Sequence, residues 1–257
     1  RSEPKRISTT VYNGQADPTS GSSTPVSCAP ADALVDGKPI AVVCRRIEQA
    51  TSDDTGALGF AAPAIGTPRR TSYTYNRFGQ VLTVNGPRVD VTDLTTYEYY
   101  PDTQADWTLG DLKQVTNALG QVTRFPKYDR NGRVLQMIDA NGVVTDSTYH
   151  PRGWLTQTRV TPAGGGAVQT TDYAYDGVGQ LTQVTHPDGS TVSYTYDAAH
   201  RLQAVADSAG NRVEYTLDAM GNRTREDWKD AGGELRKTLA RTIDALNRVQ
   251  AVTGGVQ

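Results

Sequence analysis

The chain has 257 residues, 37% of them hydrophobic and 21% charged, and its formal net charge is −2. Arg and Asp are interleaved without a basic block, so the concentrated cationic footprint that nucleic-acid binding needs is missing and no nucleic-acid partner is expected. No apolar run approaches the ~18–20 residues of a membrane span, and no signal peptide is visible. Gly, Thr and Tyr are plentiful while Met and Phe are scarce, which suits a sheet with much solvated surface better than a deep core.

Residues 1–68 form a segment without repeats, rich in Pro, Ser, Ala and Gly from residue 16 onward. The run Lys38 to Val43 reads as a strand that Ile47 to Thr51 continues, and Asp53 to Pro68 reads as a loop with one helical turn. Both cysteines, Cys28 and Cys44, lie here, with no histidine near them to complete a structural zinc site. They are either a disulfide or two buried thiols. Closing a loop of ~15 residues would contribute about 3 kcal/mol in the chain-entropy model.

Residues 69–257 carry a repeated phrase, Tyr-Asp-x-x-Gly. Its clearest copies start at Tyr128, Tyr175 and Tyr196, and looser ones at Tyr75, Tyr149, Leu217 and Ile243, with steps of 21 or 26 residues through most of the run. A period in this range marks one supersecondary unit stacked on its neighbours. The second position holds Asp129, Asp176, Asp197, Asp218, Asp244, Asn76 or His150, and Asp or Asn there can bond the backbone two residues on. Four residues after the start come Gly79, Gly132, Gly153, Gly179 and Gly221, with His200 and Asn247 at the other two places, residue types that accept positive φ. Six residues after the start an apolar residue returns (Leu155, Leu181, Leu202), Arg223 excepted.

A second turn signal follows at Gly142, Gly189 and Gly210, and alternating residues such as Val192, Tyr194 and Tyr196 come after it. Each repeat therefore reads as a β-hairpin of two ~6–7-residue strands. The expected fold is all-β, a curved antiparallel sheet of stacked hairpins from about Thr71 to Val252. The extra residues of the longer copies are expected at hairpin tips, Pro162 to Ala167 and Asp230 to Glu234, and an irregular excursion at Pro101 to Gly110. Apolar residues three apart on the outgoing strand (Leu181 and Val184; Leu202 and Val205) depart from period two, pointing to a bulge or to apolar groups on both faces.

Catalytic or metal chemistry finds no constellation, and no cofactor is expected. His150, His186 and His200 each stand at a turn, spaced by the repeat. The Gly164–Gly166 run lacks the lysine and helix of a phosphate cradle. Calcium needs six to eight converging oxygens, whereas the aspartates come one per repeat, as turn caps. The tyrosines Tyr73, Tyr75, Tyr173, Tyr175, Tyr194 and Tyr196 fit cross-strand packing. A carbohydrate-stacking stripe with Trp107, Trp154 and Trp228 is the alternative, and the two readings differ in whether the rings are packed or exposed.

The run YDGVGQLTQVTHPDGSTVSYTYDAAHRLQAVADSAGNRVEYTLDAMGNRT resembles the RHS/YD-repeat family: bacterial Rhs polymorphic toxins, wall-associated proteins, shell components of insecticidal toxin complexes, and teneurins. The stretch Val11 to Pro68, with YNGQADP, SCAPADAL and VVCRRIEQAT, looks like the segment ahead of the repeats in some proteobacterial Rhs proteins. The resemblance implies a non-catalytic, secreted or cell-surface shell, a hollow cocoon whose partner is a C-terminal toxin region or peptide of the same polypeptide. Two departures stand out. The family's self-cleaving motif with Asp-Pro-x-Gly-Leu has no counterpart, because Asp17-Pro18 is followed by Thr19 and Ser20. No toxin sequence follows the repeats either, and a chain starting at Arg1 and stopping inside a repeat reads as a piece of something longer.

Overall fold

The computed structural model describes residues 5–256, which divide into two compact units, one running to Ala140 and the other starting at Asn141. The first contains β1 (Arg6–Tyr12), β2 (Leu34–Val35), β3 (Lys38–Pro39), β4 (Val43–Thr51), β5 (Ala64–Tyr75), β6 (Val81–Asn85), β7 (Leu94–Tyr99), β8 (Leu112–Thr116), β9 (Val122–Tyr128) and β10 (Val134–Ile138). β1 pairs with β4, β4 with β5, and each later strand with its successor, all antiparallel. The small hairpin β2–β3 stands apart.

The first unit has the only deep interior among the described residues. Val11 and Cys44, Ile47 and Thr51 are buried in β1 and β4, and Cys28, Ala33, Ile40 and Ala62 join them from the loops. Cys28 and Cys44 are joined as a disulfide with Cα atoms 5.4 Å apart, tying the loop that holds Cys28 to β4. Asp17, 1% exposed, accepts from Arg45 Nη1 of β4 at 2.7 Å and lies 3.6 Å from Arg70 Nε of β5. A buried carboxylate needs such partners, and these two bind the loop to both strands.

Two expectations for this unit need correction. The strand expected over Lys38 to Val43 is interrupted: β3 stops at Pro39, and Ile40 turns into the interior before β4 starts at Val43. Burying the Ile40 side chain outweighs a local strand preference. The sheet also starts earlier than Thr71, because β4 pairs with β5 in a register running from Arg45↔Ser72 to Thr51↔Ala64. The Asp53 to Pro68 stretch holds one 3₁₀ turn, Gly59–Ala61, before joining β5. Pro101 to Gly110 is an excursion between β7 and β8, with Trp107 stacked on Tyr100 at 4.2 Å.

The second unit is a meander of ten strands, each antiparallel to the next: β11 (Val144–Tyr149), β12 (Leu155–Thr161), β13 (Gln169–Tyr175), β14 (Leu181–Thr185), β15 (Thr191–Tyr196), β16 (Leu202–Asp207), β17 (Arg212–Leu217), β18 (Arg223–Lys229), β19 (Leu235–Ile243) and β20 (Val249–Val256). Cross-strand rows build one apolar face, such as Tyr194, Val205, Val213 and Trp228 in register on four successive strands. The other face carries Thr195, Ala204, Glu214 and Asp227. Val184 is the one hydrophobic residue of this unit below a tenth exposed among the described residues, as expected where no second layer covers the sheet.

The apolar spacing of three has a single cause. Tyr196 pairs with Leu202 while Thr195 pairs with Ala204, so Gln203 is an extra residue and a bulge. The same slip follows Val81, Leu112, Leu155, Leu181, Arg223 and Val249. A bulge shifts the alternation by one, which returns Val184 and Val205 to the face of the tyrosines. The insertion expected at the Asp230 to Glu234 tip is instead absorbed by the strands. β18 and β19 are 7 and 9 residues long, against 6 and 6 for β16 and β17. Asp230 to Glu234 itself closes as the same tight turn as the other repeats, so lengthening the ladder keeps both the turn chemistry and the alternation.

Candidate functional site: the turn edge and its lateral locks

Five of the repeat turns are closed by the Asp of the phrase. In the Tyr128 copy, Asp129 N–H donates to Arg133 O at 2.9 Å and Gly132 N–H to Asp129 O at 3.0 Å. Asp129 Oδ1 accepts from the N–H groups of Asn131 and Arg133. Asp176, Asp197, Asp218 and Asp244 repeat this pattern, and Asn76 does so with its amide oxygen. This is the three-residue hairpin loop with a left-handed residue at its end. Gly132, Gly179 and Gly221 sit at φ +76°, +94° and +88°, and His200 and Asn247 at +63° and +60°.

The tyrosines lock one hairpin to the one before. Tyr175 Oη donates to Leu155 O at 2.9 Å, Tyr196 Oη to Leu181 O at 2.9 Å, and Tyr128 Oη to Leu112 O at 2.6 Å. Tyr75 and Tyr99 do the same to Val43 and Val81. From Tyr99 onward the acceptor is the residue that opens the outgoing strand of the preceding hairpin, next to its bulge. Burial pushes the phenols of Tyr75, Tyr99, Tyr175 and Tyr196 upward, and that of Tyr128 to about 12, where Asp111 and Tyr100 add to the effect. These hydroxyls are held as neutral donors.

The residue after the turn glycine supplies a second lock that the sequence reading did not assign. Arg201 pairs with Asp197 Oδ2 at 2.7 Å and donates Nη1 to Asp218 O of the next turn at 2.9 Å. Gln180 donates Nε2 to His200 O at 2.9 Å, and its Oε1 lies 2.9 Å from His200 Nδ1. Because Oε1 can only accept, His200 carries its proton on Nδ1. Asn222 donates to Asp218 Oδ2 and Asn247 Oδ1. The signal was in the sequence, since Gln80, Arg133, Gln180, Arg201, Asn222 and Arg248 are all polar at this place. Only the stacking of the turns shows what they reach. The backbone N–H and side chain of Arg201 hold the Asp197 carboxyl below the usual range, and the side chain of Asn222 acts first on Asp218.

Trp154 takes that polar place in its own repeat. It stacks on His150 at 4.9 Å, tilts against Tyr175 at 5.4 Å and lies under the Arg152 guanidinium at 5.5 Å. A cleft of about 400 Å³ opens beside these rings. Trp107 is packed on Tyr100, and Trp228 lies under Lys237 at 4.9 Å. His150, His186 and His200 stand at three separate turns. Among the described residues no group of three His, Cys, Asp or Glu side chains could hold a metal ion, and no helix is long and apolar enough to cross a membrane.

The fold and these locks define a protein of laterally bolted β-hairpins, a repeat structure whose recurring phrase serves stacking. The RHS Repeat family model matches residues 107–142, 128–167, 175–212 and 196–227, so the chain carries RHS repeats through these stretches. No curated protein matches the sequence. Among solved structures, TcdB2-TccC3-TEV is similar at 13% identity and a TM-score of 0.53, over 98% of this chain and 14% of that one. TcdB2-TccC3 is similar at 16% identity and a TM-score of 0.51, over 96% of this chain and 12% of that one. The chain thus spans about one seventh or less of these two structures, and the likeness is one of fold.

Proposed function

We propose that this chain is a non-catalytic structural segment of an Rhs-type shell that encloses or presents a C-terminal toxin or partner polypeptide, acting outside the cell or at its surface. The observation that carries this reading is the lateral lock. The hydroxyls of Tyr75, Tyr99, Tyr128, Tyr175 and Tyr196 and the side chains of Gln80, Gln180, Arg201 and Asn222 are spent on joining neighbouring hairpins, which is the work of a wall. A bulge increases local twist, and its repetition on every outgoing strand supports a sheet that curves in one sense. The repeat match and the fold likeness to TcdB2-TccC3 support the same conclusion.

Limited proteolysis of the parent polypeptide tests it. A region beyond the repeats that resists trypsin until the repeats themselves unfold is the expected result. Cleavage of that region at equal rates in native and denatured protein would overturn enclosure.

A further inference from the structure

The outer side of β1 is a strand edge that the repeats do not use. Lys5 N–H donates to Asp53 O at 3.2 Å and Lys5 O accepts from Thr51 N–H at 2.9 Å, so the main chain of Lys5 faces β4. Main-chain groups alternate sides along an antiparallel strand. Arg6, Ser8 and Thr10 therefore stand opposite Ala50, Glu48 and Arg46 in non-hydrogen-bonded pairs and turn their N–H and C=O groups outward. Among the described residues none bonds those groups. The open row ends at Tyr12, whose N–H donates to Gln15 Oε1 at 3.1 Å and whose C=O accepts from Gln15 N–H at 3.0 Å.

Edge strands are commonly blunted by proline, by an inward-pointing charge or by a cover. β1 has no proline, its inward side chains are Ile7, Thr9 and Val11, and its one charged residue, Arg6, pairs with Glu48 at 3.3 Å. A cavity of about 310 Å³ adjoins this edge, lined by Lys5, Arg6, Ile7, Ser8, Asp53 and Phe60 among others. Phe60 is 92% exposed on its 3₁₀ turn. The Asp53 carboxylate accepts from the N–H groups of Thr55, Gly56 and Leu58 and so holds the loop that carries the ring.

We propose that this edge takes an extended segment of a separate polypeptide as an added strand, with one aliphatic side chain in the cavity between Ile7 and Phe60. Only an extended backbone supplies N–H and C=O groups at the spacing of Arg6, Ser8 and Thr10, and its alternate side chains then fall on the face of Ile7. The same open groups disfavour a lipid surface, which would leave them unsatisfied. Lys5 and Asp53 give the lining one charge of each sign, and Arg6 is paired with Glu48, so a neutral side chain fits there better than an ion. The site lies ahead of the repeats and does not rest on the shell reading.

Selection of a phage-displayed library of random short peptides against the immobilised 257-residue chain tests this. Enriched sequences are expected to share an aliphatic residue within a β-branched run, and synthetic copies to bind with a dissociation constant of about 100 μM or tighter. N-methylation of alternate peptide residues should abolish binding in one phase and be tolerated in the other, since only one side of the added strand bonds β1. Ser8→Pro, a change suited to an edge strand whose N–H faces solvent, should weaken binding about tenfold or more. Phe60→Ser should also weaken it, with an unchanged melting temperature because the ring is exposed. No enriched sequence, equal tolerance of both N-methylation phases, or undiminished binding to both variants would each overturn the proposal.

Discussion

Tyr196 donates its hydroxyl to the main-chain carbonyl of Leu181 at 2.9 Å, across the boundary between one hairpin and the next. The aromatic that opens each phrase therefore holds the hairpin before it. Tyr196→Phe keeps the ring and removes only this bond. The expected cost is about 1 kcal/mol, the net worth of a typical hydrogen bond, and chemical denaturation of the variant beside the parent measures it. A change indistinguishable from zero would mean that water replaces the hydroxyl and that the lock contributes nothing.

The turn glycines are not equivalent. Gly132 and Gly179 both sit at positive φ, but a Cβ at Gly132 meets nothing within 4 Å, whereas at Gly179 it would lie 2.6 Å from Trp154 Cζ2. Gly132→Val should cost more than the ~1 kcal/mol of an ordinary Gly-to-Ala change through backbone strain alone. Gly179→Val should cost more still, since the indole must also move. Thermal melts of the two variants check the order, and equal costs would show that Trp154 yields freely.

His200→Gly relieves a non-glycine residue at φ +63° but removes the Nδ1 bond to Gln180. Gln180 Nε2 keeps its bond to the residue 200 carbonyl. With strain relief and bond loss each about 1 kcal/mol, the melting temperature should stay close to that of the parent. A severe loss would mean that the imidazole does more than fill a turn.

Cys28 and Cys44 are 16 residues apart in sequence and bonded to each other. Cys28→Ala/Cys44→Ala should lower stability by about 3 kcal/mol in the chain-entropy model. The loss should appear in the first unit, whose interior both residues help to fill. Hydrogen exchange resolved by peptide would locate the loss, and uniform loosening across both units would contradict it.

The pH response has a defined sign at each end. Asp53 is held at about 2, first by the Leu58 N–H and then by Thr55 and Gly56 against the cost of burial, and Asp17 is lowered by Thr19 and Arg45 despite its burial. A depressed folded pKa contributes stability above the unfolded value of ~3.9, lost as pH falls through the folded value. The melting temperature should therefore drop below pH ~4. Tyr128 has the opposite sense: its folded pKa of about 12 lies above the unfolded value, so its contribution is full below pH ~10 and declines as pH rises from there toward 12. Melts across pH that stay flat below 4 would show these carboxylates to be free.

The Tyr-Asp-x-x-Gly phrase was legible as a turn because its chemistry is local. An Asx cap and a left-handed glycine act within five residues, and Asp129 with Gly132 shows both. The hairpin, the all-β class and the Pro101 to Gly110 excursion followed from the same short-range signals. What Tyr196, Arg201 and Gln180 bond lies on a neighbouring hairpin 15 to 20 residues away, so only the stacking register decides it. The spacing of three between Leu181 and Val184 likewise allowed two explanations until the pairing placed a bulge between them. Extra residues near Asp230 could lengthen a tip or a ladder, and the gain from paired backbone groups chose the ladder. The cleft beside Trp154 and the burial of Asp17 against Arg45 and Arg70 belong to the tertiary structure alone, because each joins groups that the chain brings together only after its strands have paired.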